Sequence, residues 1–332
     1  MQAIRFHRHG SPEVLQLEEV PKPAPGAGEL LVRVEAAGVN YADTVRRWGD
    51  HYPVPTPLPA IAGAEFAGTV EAIGSGVDVA WIGARVICAP PGSAYAQWAT
   101  VPESLAFRLP AGLQPQQALA LFIQGLSAAL ILRRAARLQP GEHVLVQGAA
   151  GGVGSLGVQL AKLYGAGTVF GAASSADKRA RVLALGADHA IDYSAAGWSA
   201  AIREHTGGHG VDVVMEMTGG DVFAESLGCL AHGGRIAVYG IASRTPYAVP
   251  SERLIAKGQS VSGFYLGLFL RDRALIDATL AELAGFVQSG RLNIEASTMM
   301  PLSAAADAHR LIESRQSTAK IVLIPPAIEA TP

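Results

Sequence analysis

The chain has 332 residues, of which 49% are hydrophobic and only 16% charged. That balance excludes a disordered chain, and the length suits two domains with sizeable cores. The net charge of −2 leaves no basic surplus to neutralise phosphates, so a nucleic acid is not an expected partner. Cys88 and Cys229 are the only cysteines; their separation rules out a Cys-x-x-Cys motif and suits a reducing, cytoplasmic setting. No apolar signal-peptide core is visible near the N-terminus. The longest apolar stretch, residues 118–132, is interrupted by Gln124, Gly125 and Ser127. It falls short of the ~20 residues a bilayer requires, so we expect a buried helix and no membrane partner.

In chain order, residues 1–115 read as β-structure. AIRFHR, VLQLEEV, ELLVRVEAAGV, EFAGTVEAIG and ARVICAP are short, β-branched runs separated by Gly- and Pro-rich turns. One short helix is expected over 42–48. After about residue 120 the texture changes. Strands HVLVQG, TVFGAA, HAIDY, VDVVMEM, RIAVYG and SVSGFY alternate with helices GVGSLGVQLAKLYG, ADKRARVLALG, WSAAIREHT, VFAESLGCLA and SERLIAKG. Several of these strands are apolar on both faces, as only a parallel sheet covered by helices on both sides requires. The expected fold class is therefore α/β, with a Rossmann doubly wound domain. The tail returns two amphipathic helices, RDRALIDATLAELAGFVQSG and SAAADAHRLIES, with Ser303 as the N-cap of the second. A last strand, KIVLIP, is expected to complete the first domain and make it discontinuous; AIEATP reads as a loose end.

The segment HVLVQGAAGGVGSLG carries the most chemistry. A strand, a glycine-rich turn and a helix start follow one another inside a run of βα units. Gly151 lets the backbone approach a pyrophosphate, and Gly154 lets the helix pack closely on the strand. Ala150, Gly152 and Val153 complete a turn whose amides meet the anion at the helix N-terminus. The next strand ends TVFGAASSADKR, with no acid at its tip to hold a ribose hydroxyl. Ser174, Ser175 and Lys178 stand there instead, in a chain with five lysines. Hydroxyls and a cation suit the extra phosphate of NADP rather than NAD. The competing reading makes SSAD a helix cap and Lys178 a solvated charge.

GVNYADTVRRWGDHYP, LPAIAGAEFAGTVEAIGSGV, AYAQWATVP, GAAGGVG, SSADKR, AIDY, GGRIAVYG and KIVLIP together resemble the medium-chain dehydrogenase/reductase superfamily. They are most similar to its zinc-free NADPH:quinone oxidoreductase branch, over nearly the whole chain. The resemblance implies a GroES-like, mostly-β catalytic domain over 1–121 and 266–332, a Rossmann NADP-binding domain over 122–265, and a homodimer or homotetramer. Zinc-dependent members take a cysteine and a histidine where this chain has Asn40 and Ala64, and neither side chain is a zinc ligand. No metal is therefore expected. The implied reaction is hydride transfer to a quinone or enone, whose electron-poor system needs no Lewis acid.

The resemblance also assigns residues. Asn40 and Tyr52 are the catalytic candidates, as amide donor and proton donor; Asn40 and Ser127 are placed at the nicotinamide end. Tyr193 is placed beside Lys178, Tyr239 and Gly240 at the carboxyl edge of the sheet, Phe264 against the nicotinamide, and Lys320 toward the cofactor phosphates. Two alternatives remain: an NADPH-dependent enoyl or 2-alkenal reductase, or a cofactor-binding protein without turnover, including RNA binding as in some relatives.

Overall fold

The first strands follow the β-branched runs: β1 (Gln2–Phe6), β2 (Gln16–Glu19) and the long β3 (Glu29–Val39). Helix α1 (Tyr41–Trp48) follows β3 directly and ends at Gly49, whose left-handed φ of 78° closes the last turn. Then come β4 (Ala60–Ile61), β5 (Phe66–Ile73), β6 (Arg85–Cys88), β7 (Trp98–Pro102) and β8 (Ala106–Arg108). The apolar stretch is one continuous helix, Pro115–Ala135. It is long and apolar enough to cross a membrane, but most of it is buried inside the protein, as in a core helix. Its regular turns, α2 (Pro115–Leu119) and α3 (Leu126–Leu130), are each followed by a wider π turn, Ala120–Gly125 and Ile131–Ala135. The hydrophobic pattern did not announce those π turns.

The alternating pattern then produces β9 (His143–Val146), α4 (Gly152–Leu163), β10 (Thr168–Ala172), α5 (Ala176–Ala184), β11 (His189–Ile191) and α6 (Trp198–His205). It continues with β12 (Val211–Glu216), α7 (Gly220–Cys229), β13 (Leu230–Val238), α8 (Ser251–Lys257), β14 (Ser260–Gly263) and a single-turn α9 (Leu266–Phe269). The tail forms α10 (Arg273–Gln288), β15 (Thr298–Pro301), α11 (Ala305–Glu313) and β16 (Ile321–Ile324).

This computed structural model describes residues 1–50, 52–90 and 92–327; all of AIEATP except Ala327 lies outside them. Two units divide the chain. The first comprises Met1–Ile123, Leu270–Ala284 and Ile294–Pro332. Its main sheet runs β15-β16-β3-β5-β6-β8, with β7 also on β3, and a small sheet runs β2-β1-β4. Strand β16 lies antiparallel to β3, pairing Ile321 with Val39 and Leu323 with Ala37. Ile4, Phe66, Val86, Tyr95, Leu302 and Leu323 share one buried cluster.

The second unit, Gln124–Phe269 and Gly285–Asn293, holds six parallel strands in the order β11-β10-β9-β12-β13-β14. Chain order reverses at β9, so the carboxyl end of β9 is the topological switch point where ligands bind in such sheets. The fold class read from the sequence is the one found. One local expectation fails: Ser303 does not cap α11. It lies within a 3₁₀ turn, Leu302–Ala304, that follows Pro301, and Ala304 takes the cap position.

Candidate functional site

In the second unit the turn after β9 is fixed by packing. Gly148 adopts φ 58°, and the Ala149 N–H donates to the Ala172 carbonyl, tying the turn to the end of β10. A Cβ on Gly154 would sit 2.3 Å from the Gly148 oxygen and 2.8 Å from Ala149 Cα, so α4 can approach β9 only with glycine there. Gly152 is less constrained, because its Cβ would lie 2.3 Å from the Gln124 amide nitrogen, the end of a side chain that can move aside. Gly151 is the N-cap of α4 and offers no side-chain cap. The first amides of α4, from Gly152, Val153 and Gly154, have no earlier carbonyl in the helix to bind. Buried Ala150 completes the turn. This is a backbone cradle at a positive helix end, suited to a pyrophosphate.

The neighbouring strand ends supply further groups. Ser174 is exposed, whereas Ser175 is spent on the cap of α5, accepting the Lys178 N–H at 3.4 Å. Lys178 is half-buried. Arg179, which sequence reasoning passed over, pairs with Asp192 at 2.8 Å and donates to the Ala173 carbonyl, so it spans the ends of β10 and β11. Tyr193 follows Asp192 and packs on the core of this unit. After β13 stand Tyr239, whose hydroxyl burial holds well above its ordinary pKa, and Gly240, against Met217. Phe264 follows β14 and stacks on Phe269 with centroids 5.2 Å apart. Ser127 is buried in α3.

Sequence reasoning also missed Glu216, at the end of β12. Its carboxylate is fully buried and accepts from the Thr218 and Gly219 N–H groups and the Ser226 hydroxyl. It thereby holds the loop that carries Met217 against the glycine turn. Burial pushes its pKa up.

In the first unit Asn40 stands where β3 meets α1. Its backbone N–H donates to Asp43 Oδ2 at 2.9 Å, the reciprocal half of a capping box. Its side chain also meets an ion pair. Nδ2 donates to Glu65 Oε2 at 3.0 Å, and Oδ1 accepts from Lys320 Nζ at 2.8 Å. Lys320 also bonds Glu65 Oε2 at 2.5 Å, and both side chains are fully enclosed. The Ile123 N–H, in the first π turn, donates to Glu65 Oε1 at 3.0 Å. Gly38 makes room for the pair: a Cβ there would lie 2.3 Å from Glu65 Oε2 and 2.8 Å from Lys320 Cε.

This arrangement corrects the role expected for Lys320. Its ammonium is sequestered with Glu65 and Asn40 rather than presented to a phosphate. It also bears on zinc. At the positions considered for a metal, Ala64 has no donor atom, and both ends of the Asn40 amide are engaged. The charge of Glu65 is already met by an ammonium, so these residues do not fit a divalent ion.

Behind Asn40 runs a second buried network. Tyr95 Oη donates to Asp43 Oδ2 at 3.0 Å and lies 3.4 Å from His309 Nε2; His309 Nδ1 lies 3.1 Å from Arg47 Nη1. Arg47 continues to the Gly10 carbonyl and to Glu313. A guanidinium only donates, so His309 Nδ1 accepts, Nε2–H faces Tyr95, and Tyr95 gives its proton to Asp43. Burial raises the Asp43 pKa to about 6 and, with the nearby Arg47 charge, lowers that of His309 to about 3. Gly63 permits the ring of Tyr95 to pass, since a Cβ there would lie 2.2 Å from it. Tyr52 is half-buried, with the Arg46 guanidinium 5.6 Å from its ring centre.

Known proteins show the same two-part organisation. Residues 26–111 match the alcohol dehydrogenase GroES-like domain, and residues 152–283 match the zinc-binding dehydrogenase domain. A 2-haloacrylate reductase from Burkholderia sp. is 35% identical, covering 98% of this chain and 99% of its own. A quinone oxidoreductase from Pseudomonas aeruginosa is 36% identical, covering 97% and 99%. The crystal structure of the Escherichia coli quinone oxidoreductase complexed with NADPH superposes with a TM-score of 0.92 at 33% identity, covering 98% of this chain and all of that one. Likeness of this extent, over both units, makes the chain a member of the medium-chain dehydrogenase/reductase family, among its quinone oxidoreductases.

Proposed function

We propose that the protein is an NADPH-dependent reductase that delivers hydride to a quinone or other conjugated carbonyl without a metal. The observation that carries this reading is the Asn40–Glu65–Lys320 cluster: an amide stands at one position where a zinc dehydrogenase takes a ligand, and its two ends are engaged by Glu65 and Lys320. NADPH fits the second unit. The turn from Ala150 to Gly154 would hold its pyrophosphate, and Ser174 and Lys178 its extra phosphate, with Tyr193 beside them. Tyr239, Gly240, Phe264 and Ser127 would border the nicotinamide. Bound NADPH would supply the hydride.

The protein's own part is binding, orientation and charge stabilisation. The Asn40 Nδ2–H donates to an oxygen that gains negative charge, as a phenolate or enolate does. Tyr52, whose hydroxyl is a donor at neutral pH, supplies the proton. An acrylate is also a conjugated acceptor, so similarity to a 2-haloacrylate reductase favours enoyl or alkenal reduction as the second reading.

NADPH oxidation measured with 1,4-benzoquinone beside a 2-alkenal and 2-chloroacrylate separates the two. We expect quinone to give the highest kcat/KM, with no loss after EDTA treatment. Faster alkenal or acrylate turnover selects the second reading, and loss of turnover after EDTA, restored by zinc, overturns the metal-free mechanism. Tight NADPH binding with no turnover of any acceptor would mark a binding protein.

A further inference from the structure

The buried ion pair has a use beyond holding β3 to β16. A primary amide has two similar ends, and a half-turn about its last bond exchanges donor for acceptor. At Asn40 the partners permit only one orientation. Lysine can only donate, so Oδ1 must face Lys320; a carboxylate can only accept, so Nδ2 must face Glu65. Both bonds are charge-assisted. Glu65 is fixed in turn by the Ile123 N–H.

Stability alone does not account for this construction. A buried ion pair is commonly no better than an apolar pair of similar volume. Asp43 accepts the Asn40 N–H at the start of α1, and the Asn40 amide meets both members of the ion pair.

We propose that Glu65 and Lys320 are positioning residues that lock the Asn40 amide in one orientation, leaving its second Nδ2 hydrogen as a fixed donor to the ligand. The proposal rests on the reading of Asn40 as the donor.

The chain has only two asparagines, Asn40 and Asn293, so selective ¹⁵N-asparagine labelling of the full-length protein reports on this amide directly. Its Nδ2 protons should exchange slowly in the wild type and faster in the neutral double variant Glu65→Gln/Lys320→Met. Equal, rapid exchange in the wild type would overturn the lock.

Kinetics give the second test. Single substitutions strand a buried charge, so the informative variant is the neutral double Glu65→Gln/Lys320→Met. It should regain thermal stability over either single variant and bind NADPH near the wild-type Kd by fluorescence. Its kcat should fall roughly tenfold or more, within the roughly 100- to 1,000-fold that outright loss of an oriented donor costs. Adding Asn40→Ala to it should cause no further loss. Recovery of wild-type kcat together with stability would reduce the pair to scaffolding. A full additional loss on adding Asn40→Ala would also overturn the lock. If Asn40→Ala alone leaves kcat unchanged, the donor reading fails, while the exchange measurement still judges the lock.

Discussion

Asp43→Asn isolates one proton in the buried network behind Asn40. In an unfolded chain the carboxyl ionises near 3.8; in the fold burial raises that to about 6, against the opposing bonds from Asn40 and Tyr95. Between these values the native state holds a proton that the unfolded state has released. The contribution is therefore fully present below about pH 4 and is lost as pH rises through 6. A gap of about 2 pKa units at about 1.4 kcal/mol each amounts to about 3 kcal/mol. His309 works in the opposite sense. Its pKa is lowered from 6.5 to about 3, so its contribution is present above 6.5 and fades as pH falls. Between pH 4 and 6 the two slopes cancel.

Asparagine keeps an acceptor for the Asn40 N–H and Tyr95 hydroxyl while removing the ionisation. Urea unfolding followed by tryptophan fluorescence at pH 4, 5, 6 and 7 gives the stability of variant minus wild type. That difference should fall by about 3 kcal/mol from pH 7 to pH 4. The variant alone should lose about 1.4 kcal/mol per pH unit through the window, from unmasked His309. A pH-independent difference, or one that grows as pH falls, would refute the raised pKa and its cause.

Gly38→Ala should drive a methyl into the Glu65–Lys320 pair and destabilise by about 1–3 kcal/mol, read as a lower urea midpoint. Gly154→Ala places its Cβ against backbone rather than a yielding side chain; we expect a similar loss of stability, with NADPH binding weakened roughly tenfold by fluorescence titration. Lys178→Ala should weaken NADPH roughly 10- to 100-fold, the equivalent of one charge-assisted contact, and leave NADH nearly unchanged in the same titration. Equal losses for both would remove the phosphate role.

Elements with local causes were legible in the sequence. The βα alternation, the turn through Gly151 and Gly154, and the short helix before Gly49 each follow from a few adjacent residues. The Asn40 cluster was only half legible. Asn40 could be marked from its segment, but nothing near Lys320 names Glu65, 255 positions away. A lysine directly before IVLI and a glutamate in GAEFAG were the available signals, since both put charge where a strand turns inward. The π turns were hidden because a helix of almost uniform apolar character looks the same in either register. Arg179 escaped because its partner, Asp192, belongs to the next strand end.

The network from Asp43 to Glu313 also sets an order of assembly. Arg47 is almost fully buried, and its partner Glu313 lies 266 residues later. At a synthesis rate of ~5–20 residues per second, that guanidinium waits roughly 15 to 50 seconds on the ribosome. Strand β3 waits as long for β16. Most of the second unit is encoded between these partners, so it can close around its parallel sheet while the first unit still lacks its last strand and the neighbours of its buried arginine.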